Sequence, residues 1–371
     1  VNAYITSTGA FLPGQVVTND EMELVLGAVE GRPSRLKDRI LKANGIVGRH
    51  YAMDRTQKTT HTATDMGAAA ARQCLAGTSI GLNSIGMLSC ATTQGDMVIP
   101  GFGSMIQAEL GIPEVELHTS HGVCSSSTMA IKAAANALKV GEQRAALVVV
   151  SELASRLLKH RRYEAAGGSR NLDFAAEFLR WMLSDGAGAL LLECEPRKKC
   201  LRIDWIRSFS HADAFPVCMG IGRPSDLADT RTWQDFETYA EAEASGALLV
   251  RQDIRLLENI VKLGVDGLLR LIDEDLLDFS VLDHILCHYS SHYFRARIFD
   301  MLEMAGIGID AGKWYTNLYT RGNTGCAAIL IMLDEFLREG RAKVGDRILC
   351  VVPESSRFNC AYMHLTMVAP S

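Results

Sequence analysis

Three residues stand out for the chemistry their surroundings would permit. Cys124 lies in His121-Gly122-Val123-Cys124-Ser125-Ser126-Ser127, a turn that opens an apolar helical stretch. A helix start carries unpaired N–H groups and partial positive charge. The position therefore predicts a stabilised thiolate, with a backbone N–H able to help bind an oxyanion. The bland reading is that cysteine is a common small buried residue. Ten cysteines share the chain, and Cys90, Cys326 and Cys350 fall in apolar runs and read as core. The glycine-containing turn before a helix sets Cys124 apart as the nucleophile candidate.

His284, His288 and His292 recur at every fourth position, a spacing that on one helix would suggest metal ligands. Ile285-Leu286-Cys287-His288-Tyr289 reads instead as a strand running into a loop, with a helix starting near His292. The three histidines then share no face, and no metal site is expected. His288 is the candidate and His292 its weaker rival. Asn323, in Arg321-Gly322-Asn323-Thr324-Gly325, would ordinarily be a helix N-cap. Paired with a histidine N–H, its amide N–H makes a two-donor pocket for a carbonyl oxygen.

These residues need elements to bring them together, and the chain offers an alternating α/β pattern. Strand-like runs are Ala3–Phe11, Ile85–Ala91, Ala145–Val150 and Ala187–Glu193, then Leu201–Phe209, His284–Tyr289, Arg347–Val352 and Ala361–Val368. Helical patterns cover Met129–Val140, Arg251–Ile272, Tyr293–Ala305 and Ala327–Arg338. The two halves repeat one another. Cys124–Gly141 and Asn323–Gly340 are equal in length, and each runs from a polar turn through an apolar helix to a glycine stop. Each leads into a strand with a similar ending, Val150-Ser151-Glu152 and Val352-Pro353-Glu354. The expectation is two duplicated lobes, 1–195 and 196–371, joined at the polar Glu195-Pro196-Arg197-Lys198-Lys199. Their pseudo-twofold relation would bring Cys124, His288 and Asn323 to one cleft.

Composition narrows the function classes. With 371 residues, 48% of them hydrophobic and 22% charged, the chain can bury a large core and is not disordered. A net charge of -5 gives no electrostatic footprint for nucleic acid. The longest uncharged stretches are broken by Ser, Thr, Asn and Gly, so no membrane insertion is expected. Scattered cysteines without a Cys-x-x-Cys pair, and no visible export signal, point to a reducing cytoplasm. Asp185-Gly186-Ala187-Gly188-Ala189 leads into a strand and so fails as a dinucleotide loop. It reads as a tight turn where backbone approaches backbone.

Cys-x-Ser near a helix start, His after a strand and Gly-Asn-Thr before a later helix resemble the ketosynthase III branch of the thiolase superfamily. The resemblance spans nearly the whole chain and includes Thr8-Gly9-Ala10-Phe11-Leu12-Pro13 and Gly45-Ile46-Val47-Gly48-Arg49. It implies a five-layered αβαβα fold, a Cys124/His288/Asn323 active site and a homodimer docked through the strand at about Ala145–Val150. It also implies acyl thioester substrates on the pantetheine arm of acyl carrier protein or coenzyme A, with no other cofactor. The compact basic run Lys159-His160-Arg161-Arg162, by default a solvated face, then suits an acidic carrier through Lys159, Arg161 and Arg162.

Two departures refine the resemblance. Pro353-Glu354-Ser355-Ser356-Arg357-Phe358 replaces the family's glycine-rich loop, so an N–H near Ser356 is expected to serve the oxyanion site, with Arg357 adding charge to the cleft. Leu286-Cys287-His288-Tyr289-Ser290-Ser291 keeps only the histidine of the usual stretch. Both are similar to the ketosynthases that make dialkylresorcinol and stilbene precursors by closing a 1,3-cyclohexanedione ring. The rival expectations are a chain-initiating synthase with a linear product, and a non-catalytic partner subunit of the same fold.

Overall fold

The computed structural model describes residues 2–168, 173–196, 198–308 and 310–370. Arg197 of the expected linker lies outside them. Ten strands form one sheet: β1 (Tyr4–Phe11), β2 (Met87–Thr92), β3 (Glu116–His121), β4 (Ala145–Glu152), β5 (Gly186–Glu193), β6 (Cys200–Ser210), β7 (His284–Cys287), β8 (Trp314–Tyr315), β9 (Arg347–Glu354) and β10 (Asn359–Val368). Their spatial order is β8-β7-β9-β10-β6-β1-β5-β4-β2-β3.

One pairing scheme is used twice. In one half β1 runs antiparallel to β5, β5 antiparallel to β4, and β2 lies parallel to both β4 and β3. In the other, β6 runs antiparallel to β10, β10 antiparallel to β9, and β7 lies parallel to both β9 and β8. The halves meet edge to edge where Tyr4 and Ile5 pair with Arg202 and Leu201, and Ile203 N donates to Ala3 O at 2.9 Å.

The six longest helices among the described residues are α1 (Ala63–Ala76), α2 (Phe102–Leu110), α3 (Ser126–Lys139), α4 (Leu257–Asp273), α5 (Tyr293–Met304) and α6 (Ala328–Arg338). Helices α3 and α6 share a core with side chains from both half-sheets and form the central layer. Helices α1 and α2 cover the outer face of the first half, and α4 and α5 that of the second. The layers are therefore αβαβα. The alternation of a strand explains how β4 serves two of them: Val148 and Val150 face the central core, Leu147 and Val149 the outer one. Covered on both faces, β4 is buried along its whole length, which is why it reads as a continuous apolar run. The glycines after Asp185 belong to the same packing. A Cβ on Gly188 of β5 would sit 2.4 Å from Leu330 Cβ of α6, so only glycine lets helix and strand approach.

This layout corrects one expectation. Ala145–Val150 cannot be a docking edge, because β4 is hydrogen-bonded on both sides, to β2 and β5. The open edge of that half is β3, whose polar Glu116–His121 sequence carries no apolar run.

Candidate active site

Cys124, His288 and Asn323 line a single cavity. Its walls are apolar and extend away beneath α4 and α5, through Val261, Val265, Leu268, Phe294 and Ile298. Gly264 borders open space in this arm, since a Cβ there would meet no atom within 4 Å. Helix α4 is held in place from the sheet side, where Tyr362 Oη donates to the Gly264 carbonyl at 2.7 Å. Geometrically, this is a reactive end joined to a chain-shaped apolar space.

Cys124 sits two residues before α3, in a turn closed by Ser126 N donating to Val123 O at 3.1 Å. Glu354, at the end of β9, ties down that turn by accepting from Ser125 N at 3.0 Å and from Ser125 Oγ at 2.6 Å. Asn359 Nδ2 donates to the same Ser125 hydroxyl at 2.8 Å. The expected stabilised thiolate is not what this environment gives. Burial pushes the Cys124 thiol well above its usual range, and the Glu354 and Glu152 carboxylates push in the same direction. Loss of water and two nearby negative charges outweigh the helix N-terminus. The resting group is a thiol. Iodoacetamide labelling of Cys124 should therefore accelerate about tenfold per pH unit beyond pH 9, without levelling off near ~8.5, the value of a free cysteine. A plateau below pH 8 would show that the helix start wins after all.

His288 follows β7, and its N–H continues the sheet by donating to Val351 O at 2.9 Å. Its ring is buried and makes no hydrogen bond to protein among the described residues. Burial lowers its pKa to about 4, so at neutral pH the imidazole is uncharged and one ring nitrogen is a donor. Asn323 is clamped by its backbone, with Asn323 N donating to Met182 O at 3.0 Å and Ser184 N to Asn323 O at 2.8 Å. Its Oδ1 accepts from Gly325 N at 3.0 Å, which orients the amide and leaves Nδ2 as the free donor. Gly322 flanks it with φ +70° and room for no side chain, because a Cβ would meet Ser184 and Arg49 at about 3 Å.

The rival histidines lie elsewhere. His292 is exposed and bonded to Tyr319 Oη, and His284 Nε2 pairs with Asp346 at 3.1 Å. The loop after β9 also differs from expectation. Residues 355–358 form the turn between β9 and β10, closed by Phe358 at φ +58° with its ring buried against Phe215. Anchoring Phe358 inward turns Arg357 outward: it is exposed, with Nε donating to Ala212 O at 3.2 Å, and it does not line the cavity. Ser356 does not line it either; its hydroxyl donates to Glu354 and its carbonyl accepts from Cys218 N at 2.9 Å. Ser355 takes that place, held by Gln252 Nε2 at 2.8 Å. Lys159 is the N-cap of the helix His160–Ala165, and Arg161 and Arg162 lie in its first turn; none lines the cavity, but they follow Ala154 and Leu157 of its wall in the chain. Sequence reasoning missed Glu152, Thr93, Gln252 and Ser355 as wall residues. Only the matched strand endings at Glu152 and Glu354 gave a signal.

Comparison with known proteins agrees with this fold. Residues 53–197 match the beta-ketoacyl synthase N-terminal domain, and residues 281–352 match the C-terminal part of 3-oxoacyl-[acyl-carrier-protein] synthase III. Beta-ketoacyl-[acyl-carrier-protein] synthase III of Rhodospirillum centenum is 24% identical over 349 residues, 94% of each chain. That of Ehrlichia chaffeensis is 26% identical over 342 residues, 92% of each. Among solved structures, OleA of Xanthomonas campestris with bound lauric acid and lauroyl-CoA superposes with a TM-score of 0.77 at 20% identity, covering 99% of both chains. AbyA1, a tetronic acid condensing enzyme, gives 0.78 at 20% identity over 98% of this chain and 99% of that one. FabH of Xanthomonas oryzae pv. oryzae gives 0.78 at 21% identity over 99% of both. The chain thus has the fold of the OleA, AbyA1 and FabH structures, with one stretch in each half similar to a ketosynthase family.

Proposed function

We propose that the protein joins two fatty acyl thioesters through an acyl-enzyme on Cys124 and closes the product into a 1,3-cyclohexanedione. The observation that carries the reading is the meeting of Cys124, His288 and Asn323 at the head of an apolar, chain-shaped cavity. Cys124 attacks an α,β-unsaturated acyl thioester; the carrier thiol leaves with the cysteine proton, and one hard step becomes two easier ones. His288 and Asn323 Nδ2 then hold the carbonyl oxygen on which the donor's enolate charge gathers. C2 of a β-ketoacyl donor adds to the enoyl β-carbon. The donor's C4 attacks the Cys124-bound carbonyl, the C–S bond breaks, and a six-membered ring leaves the enzyme. Water-poor walls favour this closure over hydrolysis. With Arg357 pointing outward, both enolates rely on the same His/Asn pair.

In this reading lobe 1–195 supplies the nucleophile and lobe 196–371 its two partners. The substrates arrive on the pantetheine of acyl carrier protein or coenzyme A, and Lys159, Arg161 and Arg162 offer an acidic carrier a landing face. Two copies pair through β3, an open strand edge that a second copy would cover. The nearest subfamily is then that of the dialkylresorcinol and stilbene-precursor ketosynthases, working in the cytoplasm.

A mass spectrum of the products tests the proposal. Purified enzyme with β-ketoacyl and enoyl thioesters should yield a cyclic dione, whose mass falls short of the linear adduct by one carrier thiol. A linear product alone would identify a chain-extending synthase, and no product with an unacylated Cys124 would identify a scaffold subunit.

A further inference from the structure

The repeated sheet places two glutamates at equivalent points, Glu152 at the end of β4 and Glu354 at the end of β9. Each reaches across to the helix of the other half. Glu152 Oε2 accepts from Cys326 N at 3.1 Å, at the turn leading into α6; Glu354 Oε2 accepts from Ser125 N at 3.0 Å, at the turn leading into α3. As tethers the two carboxylates are counterparts. As chemical groups they differ.

Both oxygens of Glu354 are engaged, Oε2 by Ser125 and Oε1 by the Ser356 hydroxyl, and the residue does not line the cavity. Glu152 takes Cys326 N and Thr93 Oγ1, the latter at 2.6 Å, on Oε2, with the Cys326 thiol also beside the carboxylate. Oε1 is its second oxygen, and Glu152 lines the cavity together with Cys124, His288 and Asn323. A tether needs one oxygen and no cavity. A second oxygen on a residue that lines the nucleophile's cavity is what a tether does not explain.

The reaction needs such a group. A donor that does not lose carbon dioxide must give up an α-proton, and burial, which lowers the His288 pKa to about 4, makes its unprotonated ring nitrogen a weak base. We propose that Glu152 Oε1 is the general base that takes the α-proton of the donor thioester. The proposal rests on the condensing reading of the same cavity. The donor's C–H bond breaks and its proton goes to Glu152, while the electron pair, held as an enolate by His288 and Asn323, forms the new carbon–carbon bond. Once that bond has formed, the enolate left on the enoyl acceptor takes the proton back from Glu152. At ring closure Glu152 removes a proton from a second α-carbon, C4 of the donor, whose electron pair forms the bond to the Cys124 acyl carbon. The C–S bond breaks, and the departing thiolate takes a proton from Glu152, which resets both groups. Burial raises the Glu152 pKa above the usual carboxylate range, which makes it a stronger base than an exposed glutamate. The titratable groups around it are Cys124, Cys326, Asp185 and His288.

The test separates proton removal from acyl transfer. In D2O, the Cys124→Ala protein should catalyse deuterium exchange at the α-carbon of a saturated acyl thioester above the buffer rate, with a rate that climbs with pH through a pKa above the usual carboxylate range. Adding Glu152→Gln, which keeps an oxygen for Cys326 N and Thr93, should cut exchange by about 10²-fold or more and remove that rise. The single variant Glu152→Gln should still acquire an acyl group on Cys124, which shows that the cavity is intact. Exchange that survives Glu152→Gln overturns the proposal. So does an equal loss of exchange and acylation, which marks a purely structural tether, and so does absence of exchange in the Cys124→Ala protein. Glu152-dependent exchange without any condensed product would leave the base assigned and overturn the condensing reading instead.

Discussion

Cys124→Ala is expected to abolish acyl uptake and to lower condensation by at least ~10³-fold, the scale on which a covalent route is lost with its nucleophile. Wild-type protein incubated with an acyl thioester should gain a single acyl mass on the peptide that contains Cys124. The specificity has a structural reason. Of the ten cysteines, only Cys124 and Cys287 line the cavity. Cys287 lies within β7, where its backbone groups belong to the ladder with β9, and burial raises its thiol pKa. No helix start stands beside it to receive an oxyanion. Cys124 precedes α3, whose first N–H groups have no partner within the helix. The raised thiol pKa of Cys124 slows acylation at neutral pH but does not redirect it, because Cys90, Cys326 and Cys350 are buried, pushed up in the same way and out of reach of the cavity. A label on Cys287, Cys326 or Cys90 would refute the assignment.

How far the site could be read from sequence depended on whether a residue's role followed from its own neighbours. Cys124 before a helix, His288 after a strand and Asn323 before a second helix each carry a local signature, and the repeat predicted that they would meet. The strands buried on both faces were legible for the same reason: Ala145–Glu152 and Gly186–Glu193 are apolar throughout because helices cover both sides. Edge strand β3 was not, since half-exposed Glu116–His121 has no apolar run to display. Helix α1 was obscured by its small residues. Its alanines face β1 and β5 closely enough that a Cβ on Gly9 would stand 2.3 Å from the Ala70 carbonyl.

What failed were inferences about charge and direction, which depend on the whole fold. The sequence shows a helix start beside Cys124. It cannot show that Glu354, more than 200 residues away, binds the next N–H and, with Glu152, raises the thiol pKa. Arg357 was expected in the cleft because it belongs to the loop that replaces the glycine-rich segment. Its direction is set by Phe358, whose buried ring and left-handed backbone turn the preceding side chain to solvent.

The division of labour gives the second large effect. His288→Ala and Asn323→Ala should still acylate Cys124 yet lose condensation by about 10²-fold or more, roughly 3 kcal/mol of transition-state stabilisation for one lost oxyanion donor. Both side chains are donors by circumstance. Burial keeps His288 uncharged with a proton on one ring nitrogen, and the bond from Gly325 N to Asn323 Oδ1 leaves Nδ2 to face the substrate. Orientation makes Asn323→Asp a sharper probe than alanine. Aspartate keeps the acceptor for Gly325 N but presents a second anionic oxygen where Nδ2 stood, so it should lose at least as much condensation as Asn323→Ala. An asparagine serving only as a backbone clamp would tolerate aspartate better than alanine. The double variant should lose less than the product of the single losses, because the two donors act on one oxygen. His292→Ala should stay within about twofold of wild type, since that ring is exposed and held by Tyr319 outside the cavity. Single-turnover kinetics on pre-acylated enzyme isolates the step. If His292→Ala abolishes condensation and His288→Ala does not, the oxyanion site has been assigned to the wrong histidine.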